Sequence, residues 1–271
     1  MPVTLTLSHF DPEQITQSGQ CFRMVGVDGS THELIAFGRC LRVTTLGGGR
    51  YRFTCTPAEM AALWRAYFDL DTDYAALLAA APPDDAFLQQ AIRRGHGLRI
   101  LRQEPWETLC GFILSQRKNL KAIRLSMETL AAAYGAPIPG SARNAFPAPA
   151  RLAACTEAEL RALGLGYRAP YILDAARRVA SGALDLAAIA ALPDEALLAA
   201  LMQVNGVGMK VADCVMLFAY ARYRRAPVDV WIRRVIDQVY GGASPFAGYG
   251  AYAGIYQQYL FVRMRDGDVS V

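Results

Sequence analysis

The 271-residue chain predicts an α+β fold: an amino-terminal antiparallel β-sheet domain with flanking helices over residues 1–100, then an all-helical body over residues 101–271 that contains a helix-hairpin-helix turn. Two observations carry that prediction. Up to residue 56, short β-prone segments alternate with glycine turns, and from Pro57 onward apolar residues recur at helical spacing. The hydrophobic fraction of 53% excludes a disordered chain. The length allows a sizeable buried core.

In order along the chain, residues 31–37 and 40–44 are strand-like runs. Gly47-Gly48-Gly49 lies between 43–46 and 51–54 and predicts a hairpin loop; neither a helix nor a lysine follows it at phosphate-loop spacing. Thr56 caps a helix over 58–69 with Pro57 at its first position. Helical periodicity recurs over 105–134, 157–163, 170–181, 194–204, 209–222 and 230–240. The four prolines of 136–150 predict a loop. The alanine-rich runs 75–81 and 183–200 are helix formers. No internal repeat is present.

A net charge of +4 and a pI near 8.7 mildly favour a polyanionic partner. The six cysteines are scattered, with no CxxC and no metal-ligand spacing, which argues for reduced thiols and against a zinc site or iron–sulfur cluster. The amino terminus lacks a signal-peptide pattern, and no apolar run approaches the roughly 18 residues of a membrane span. A cytoplasmic protein with no membrane contact is expected.

The chemistry concentrates around Val204-Asn205-Gly206-Val207-Gly208, which separates a short amphipathic helix over 196–204 from another that starts at Gly208 or Met209. Gly206 and Gly208 permit positive φ and close backbone approach, so the turn can offer N–H groups and a helix dipole to a phosphate. The same pair also suits a plain turn between helices. Lys210 lies in the first turn of the second helix. There the helix N-terminus and a partly dry setting favour the neutral amine that nucleophilic attack requires, although a solvated lysine is the ordinary alternative. Cys214 shares that helical face and could equally be a buried structural thiol. Asp229 stands 19 residues after Lys210, in Pro227-Val228-Asp229-Val230.

Those residues resemble the helix-hairpin-helix DNA glycosylases with a Gly/Pro-rich loop and an aspartate, and within them the 8-oxoguanine DNA glycosylases of bacterial type. The resemblance implies that Lys210 attacks C1′ of the damaged nucleoside to form a Schiff base. It implies that Asp229 stabilises developing positive charge and assists proton transfers, and that β-elimination nicks the strand. Ser18-Gly19-Gln20-Cys21-Phe22-Arg23 is similar to a family motif whose glycine carbonyl accepts N7–H of the oxidised base, a proton that guanine lacks. Tyr252-Ala253-Gly254 through Phe261 is similar to the family's last helix, in which Gln257 bonds the base edge and Phe261 stacks on its ring opposite Cys214. Gly164-Leu165-Gly166-Tyr167-Arg168 is similar to a loop whose tyrosine fills the gap left by the flipped nucleotide. Its arginine bonds the widowed cytosine.

Departures accompany the resemblance. The family's three asparagines are reduced to Asn119, preceded by Arg117 and Lys118; Ala122 replaces an arginine, which loosens the expected opposite-base selectivity. Trp231 replaces a phosphate-binding histidine. His9, His32 and His96 receive no role. The implied partner is duplex DNA containing oxidised guanine, met at the nucleoid by a monomer. The chemistry calls for no organic cofactor, while the resemblance implies a structural monovalent cation on hairpin carbonyls. Two other readings are an alkylpurine glycosylase, against which Lys210 argues, and a non-catalytic helix-hairpin-helix DNA-binding module.

Overall fold

The side-chain alternation of short strands decides which way the amino-terminal sheet faces. In this computed structural model, which describes residues 1–265 and Gly267, five strands form one antiparallel sheet: β1 (Val3–Thr6), β2 (Met24–Gly26), β3 (Thr31–Ala36), β4 (Arg39–Gly47) and β5 (Arg50–Phe53), in the order β1-β5-β4-β3-β2. Tyr51 and Phe53 of β5 point into the core while Arg50 and Arg52 face water, the period-2 pattern of a sheet with one solvated face. The register pairs Leu34 with Leu41 and Val43 with Phe53. Gly48 (φ 59°) and Gly49 (φ 70°) form the predicted hairpin loop, and two consecutive positive φ angles give the turn hand that matches strand twist.

Behind the sheet runs a helix over residues 57–67, opened by Pro57 and a reciprocal Thr56–Glu59 capping box. Its Trp64, together with Phe68, packs with Phe10 and Phe53 as the first core. The second core holds the helical body: Pro105–Ser115, Leu120–Tyr134, Ala169–Ala180, Asp194–Leu201, Met209–Phe218, Val230–Val239 and Ala253–Arg265.

Three features differ from the sequence expectation. Residues 74–100, placed there with the sheet domain, pack into the helical core, because the helices Tyr74–Ala79 and Ala86–Arg94 lie under the last helix. Tyr256 Oη donates to the Leu77 carbonyl (2.7 Å), Tyr259 Oη to that of Leu98 (2.8 Å) and Arg263 to that of Phe87 (2.8 Å). The expected helical stretch 105–134 is two helices, broken where Arg117 adopts φ 52° and Asn119 caps the next helix. The 136–150 loop contains an isolated Pro137–Asn144 bridge, and a short helix, Pro149–Ala153, begins inside it.

Two buried polar junctions fix the sheet to the body. Arg23, just after the Gly19 motif, is fully buried; its Nε donates to Glu128 (2.8 Å) and its Nη2 to the Asn144 carbonyl (2.6 Å). Asp69 binds Arg102 (2.5 Å) and accepts from Tyr223 Oη (2.8 Å), on the segment that leads to Asp229. Charge-assisted bonds of this kind hold geometry where water is excluded. Among the described residues, no helix is long and apolar enough to cross a membrane.

Candidate active site and nucleic-acid interface

The hairpin is built by local bonds. After the helix Asp194–Leu201, Val204 N–H returns to the Leu201 carbonyl (3.2 Å) and Val207 N–H to that of Val204 (3.0 Å). Gly206 has φ +79°, and a Cβ there would overlap the Tyr171 ring, so glycine is required twice over. Gly208 does not share that conformation. It is extended (φ −94°, ψ −179°) with open space where a Cβ would stand, so neither backbone conformation nor packing within the chain requires glycine there. As N-cap of Met209–Phe218 it offers no side chain to the first-turn amides, which face a surface on which Met209 is 61% exposed.

Lys210 follows. Its Nζ stands 5.4 Å from the centroid of Phe112, which stacks on Phe218 at 5.4 Å and meets the edge of Phe22 at 5.2 Å. This aromatic floor ties the amine to the Gly19 motif, because Phe22 belongs to it. One helical turn on, Cys214 is 3% exposed. Burial pushes its thiol up to about 11 against the opposing pull of the Lys210 ammonium, with Asp229 pushing in the same direction as burial. Amine, thiol and carboxylate thus share one electrostatic neighbourhood, with the thiol held neutral. Asp229 caps Val230–Val239: its Oδ1 accepts from the amides of Trp231 (3.0 Å) and Ile232 (2.9 Å), leaving Oδ2 for other use.

Gly19 (φ +76°) and Phe261 are brought together from the two ends of the chain; a Cβ on Gly19 would lie 3.3 Å from the Phe261 ring. The turn is anchored through Gln20, whose amide donates to the Arg99 carbonyl and accepts from Leu101 N–H, both at 2.8 Å. Gln257 is buried and donates to the Pro227 carbonyl at 3.0 Å, two residues before Asp229. Its Oε1 accepts from Gln258 (3.1 Å). Gly254 also belongs here, since a Cβ on it would overlap the Arg225 carbonyl oxygen of the segment entering Pro227–Asp229.

The expected wedge pair divides. Tyr167 is exposed at 43%, as a wedge needs to be. Arg168 is buried, its guanidinium 4.3 Å from the Tyr167 ring and donating through Nε (2.9 Å) and Nη2 to the Gln116 carbonyl. Tyr167 Oη donates to the same oxygen (3.2 Å). Asn119 is exposed, with its Oδ1 on Ala122 N–H (2.9 Å). Between them Arg117 is exposed and strained in the left-handed region. Lys118 donates to Ser126 (2.5 Å), and burial, aided by Arg168, lowers its pKa. Sequence reasoning missed Gln116, Phe112 and Asp69. Each acts through partners distant in sequence, and no local pattern marks them.

Among the described residues, no group of three His, Cys, Asp or Glu could hold a metal ion. The hairpin offers carbonyl oxygens alone, of which that of Gly206 already accepts from Gln116 and that of Val204 from Val207. Such neutral oxygen donors fit a weakly held monovalent cation and do not fit a transition metal. A cleft of 790 Å³ opens at the other end of Pro105–Ser115, lined by Trp106, Phe146 and Leu184 and by none of these site residues.

Residues 2–109 match the amino-terminal domain of 8-oxoguanine DNA glycosylase, and residues 110–245 match the HhH-GPD superfamily of base excision DNA repair proteins. The chain belongs to the 8-oxoguanine DNA glycosylase family. Within it, the N-glycosylase/DNA lyase of Saccharomyces cerevisiae is 37% identical over 193 residues, which make up 64% of this chain and 50% of the yeast protein. The chain thus spans about half the length of that relative. Two solved structures superpose closely. MBOgg1, in complex with a low-affinity DNA ligand, gives a TM-score of 0.93 at 34% identity, covering 98% of this chain and 96% of that one. The Clostridium acetobutylicum 8-oxoguanine glycosylase/lyase, bound to double-stranded DNA with cytosine opposite 8-oxoguanine, gives 0.92 at 29% identity, covering 99% of each chain. Both superpositions take in the sheet and the helical body of this chain.

Proposed function

We propose that this protein is a bifunctional DNA glycosylase/AP lyase that flips 8-oxoguanine out of duplex DNA, excises it and nicks the strand. The observation that carries the reading is Lys210 in the first turn after a hairpin with no capping side chain, its Nζ over the Phe112 ring and its helix carrying the buried Cys214 one turn on. In the proposed reaction, the Lys210 amine forms a bond to C1′ as the N-glycosidic bond breaks and the base departs with the electron pair. Loss of the ring C–O bond at C1′ gives the Schiff base. Removal of a C2′ proton then expels the 3′ phosphate. Asp229 Oδ2 is the carboxylate oxygen available to stabilise the cationic sugar.

Gly19 and Gln257 would read the flipped base by carbonyl and amide, with Phe261 and Cys214 against its faces. Gly206 and Gly208 would hold the backbone phosphate, with Tyr167, Arg168 and Asn119 on the opposite-strand side. This chemistry needs no organic cofactor, and a monovalent cation on the hairpin carbonyls would serve the turn's structure alone. Every proposed group comes from one chain, so a monomer suffices, acting at the nucleoid where its substrate is.

Borohydride trapping on a duplex with 8-oxoguanine opposite cytosine, using wild type and Lys210→Ala, tests the reading. A covalent adduct that the variant loses is expected. Base release without any adduct would make water the nucleophile. Binding with neither adduct nor release would leave only a DNA-holding module.

A further inference from the structure

Gln116 ends the helix Pro105–Ser115 and touches two elements that the proposed function places on DNA. Its Nε2 donates to the Ile113 carbonyl of its own helix (3.2 Å) and to the Gly206 carbonyl of the hairpin (3.1 Å). Both acceptors are carbonyl oxygens, so the amide can only turn its nitrogen toward them. Its main-chain carbonyl accepts from Tyr167 Oη (3.2 Å) and from the Arg168 guanidinium (Nε, 2.9 Å). One residue therefore joins a hairpin 90 positions away to a wedge loop 51 and 52 positions away.

We infer that Gln116 is a positioning residue that sets the wedge Tyr167 at a fixed distance from the hairpin, and through it from Lys210, four residues beyond Gly206. The inference rests on the glycosylase/lyase reading. It follows from what that reaction requires. The wedge must fill the vacated stack while the hairpin holds the backbone and the amine meets C1′. An error of about 1 Å between such groups slows a reaction about 10²-fold. Tyr171 packs between the two elements, its ring 6.2 Å from that of Tyr167 and against Gly206. Packing of that kind resists approach but sets no direction; a hydrogen bond does both.

The test uses the full chain with Gln116→Met, which keeps side-chain length and removes the donors, and Gln116→Glu, which turns a carboxylate toward two carbonyl oxygens. Single-turnover release of 8-oxoguanine opposite cytosine is measured from about pH 5 to about pH 8, alongside thermal unfolding. Gln116→Met is expected to react roughly tenfold slower than wild type with little change in unfolding temperature. Gln116→Glu should be slower still at the alkaline end. Its rate relative to wild type should recover as the carboxyl gains a proton and becomes a donor. Combining Gln116→Met with Tyr167→Ala should give a loss smaller than the product of the single losses.

A residue that only fills space gives two variants whose rates relative to wild type are flat with pH, and that result overturns the inference. Wild-type rates in both variants, or losses that multiply with Tyr167→Ala, overturn it equally. If the wild type itself releases no base, the glycosylase reading falls and this inference with it.

Discussion

Asp229 caps a helix and, under the proposed function, also stabilises the reacting sugar, and substitutions can separate the two tasks. Oδ1 caps the helix Val230–Val239, whereas the charge acts on Cys214, one helical turn from Lys210, and adds to the upward push of burial on its thiol. Asparagine is as good a cap as aspartate but carries no charge. Asp229→Asn should therefore keep its unfolding temperature and lose about 10²- to 10⁴-fold in single-turnover excision, the usual range for a positioned acid–base group. Asp229→Ala should lose the same activity and about 1 kcal/mol of stability besides. Equal destabilisation by both substitutions would show that the cap is not what Oδ1 supplies. Arg117 gives a second prediction at this scale. It is exposed at φ 52°, a strained conformation for a residue with a Cβ, in the loop that the proposed function places on DNA. If it meets a phosphate, Arg117→Ala should weaken binding to any duplex and reduce the slope of log affinity against log salt by about 1. An unchanged slope would remove it from the interface.

At the scale of elements, the hairpin carries two glycines for different reasons, which stability and binding measurements can tell apart. Gly206→Ala forces a side chain into the left-handed region and against Tyr171, and should cost about 1–3 kcal/mol in urea unfolding. Gly208→Ala meets no protein atom within 4 Å and needs no unusual φ. It should leave stability within about 0.5 kcal/mol while weakening DNA binding by obstructing the backbone. The sequence made this hairpin legible because its signals are local: two glycines, a lysine inside the next helix and an aspartate after Pro227. Helical spacing likewise put Lys210 with Cys214. What stayed hidden depends on tertiary contact. Arg168 carries the sequence of a DNA-facing arginine, yet the Gln116 carbonyl holds it buried. Gln116 itself has no local mark, and the helix Ala86–Arg94 escaped notice although its burial under the last helix places residues 74–100 in the second core.

For the whole molecule, the contact between sheet and helical body sets a pH dependence of stability. Arg23 and Arg143 converge on Glu128 at 2.8 and 2.6 Å. Burial works against the Glu128 carboxylate, but hydrogen bonds from Arg143 and Arg23 hold it below the usual range. Glu107, with its carboxylate 4.0 Å from Arg23, lacks such bonds; burial pushes it up to about 8, although the Arg23 charge opposes the shift. Below pH 4.5, its ordinary value, Glu107 is protonated in folded and unfolded chains alike. Between pH 4.5 and about 8 the folded chain keeps a proton that the unfolded chain has released, so stability falls as pH rises through that window. Glu107→Gln removes the proton exchange and keeps the shape. Its unfolding free energy should match wild type near pH 4.5 and exceed it increasingly toward pH 8, by on the order of a few kcal/mol. Glu107 borders the cleft at the far end of Pro105–Ser115 from Gln116, so excision at neutral pH should stay at the wild-type rate. A Glu107→Gln variant that is less stable than wild type at pH 8 would mean that the Arg23 charge depends on an ionised Glu107, and that Glu128 alone does not hold the sheet to the helices.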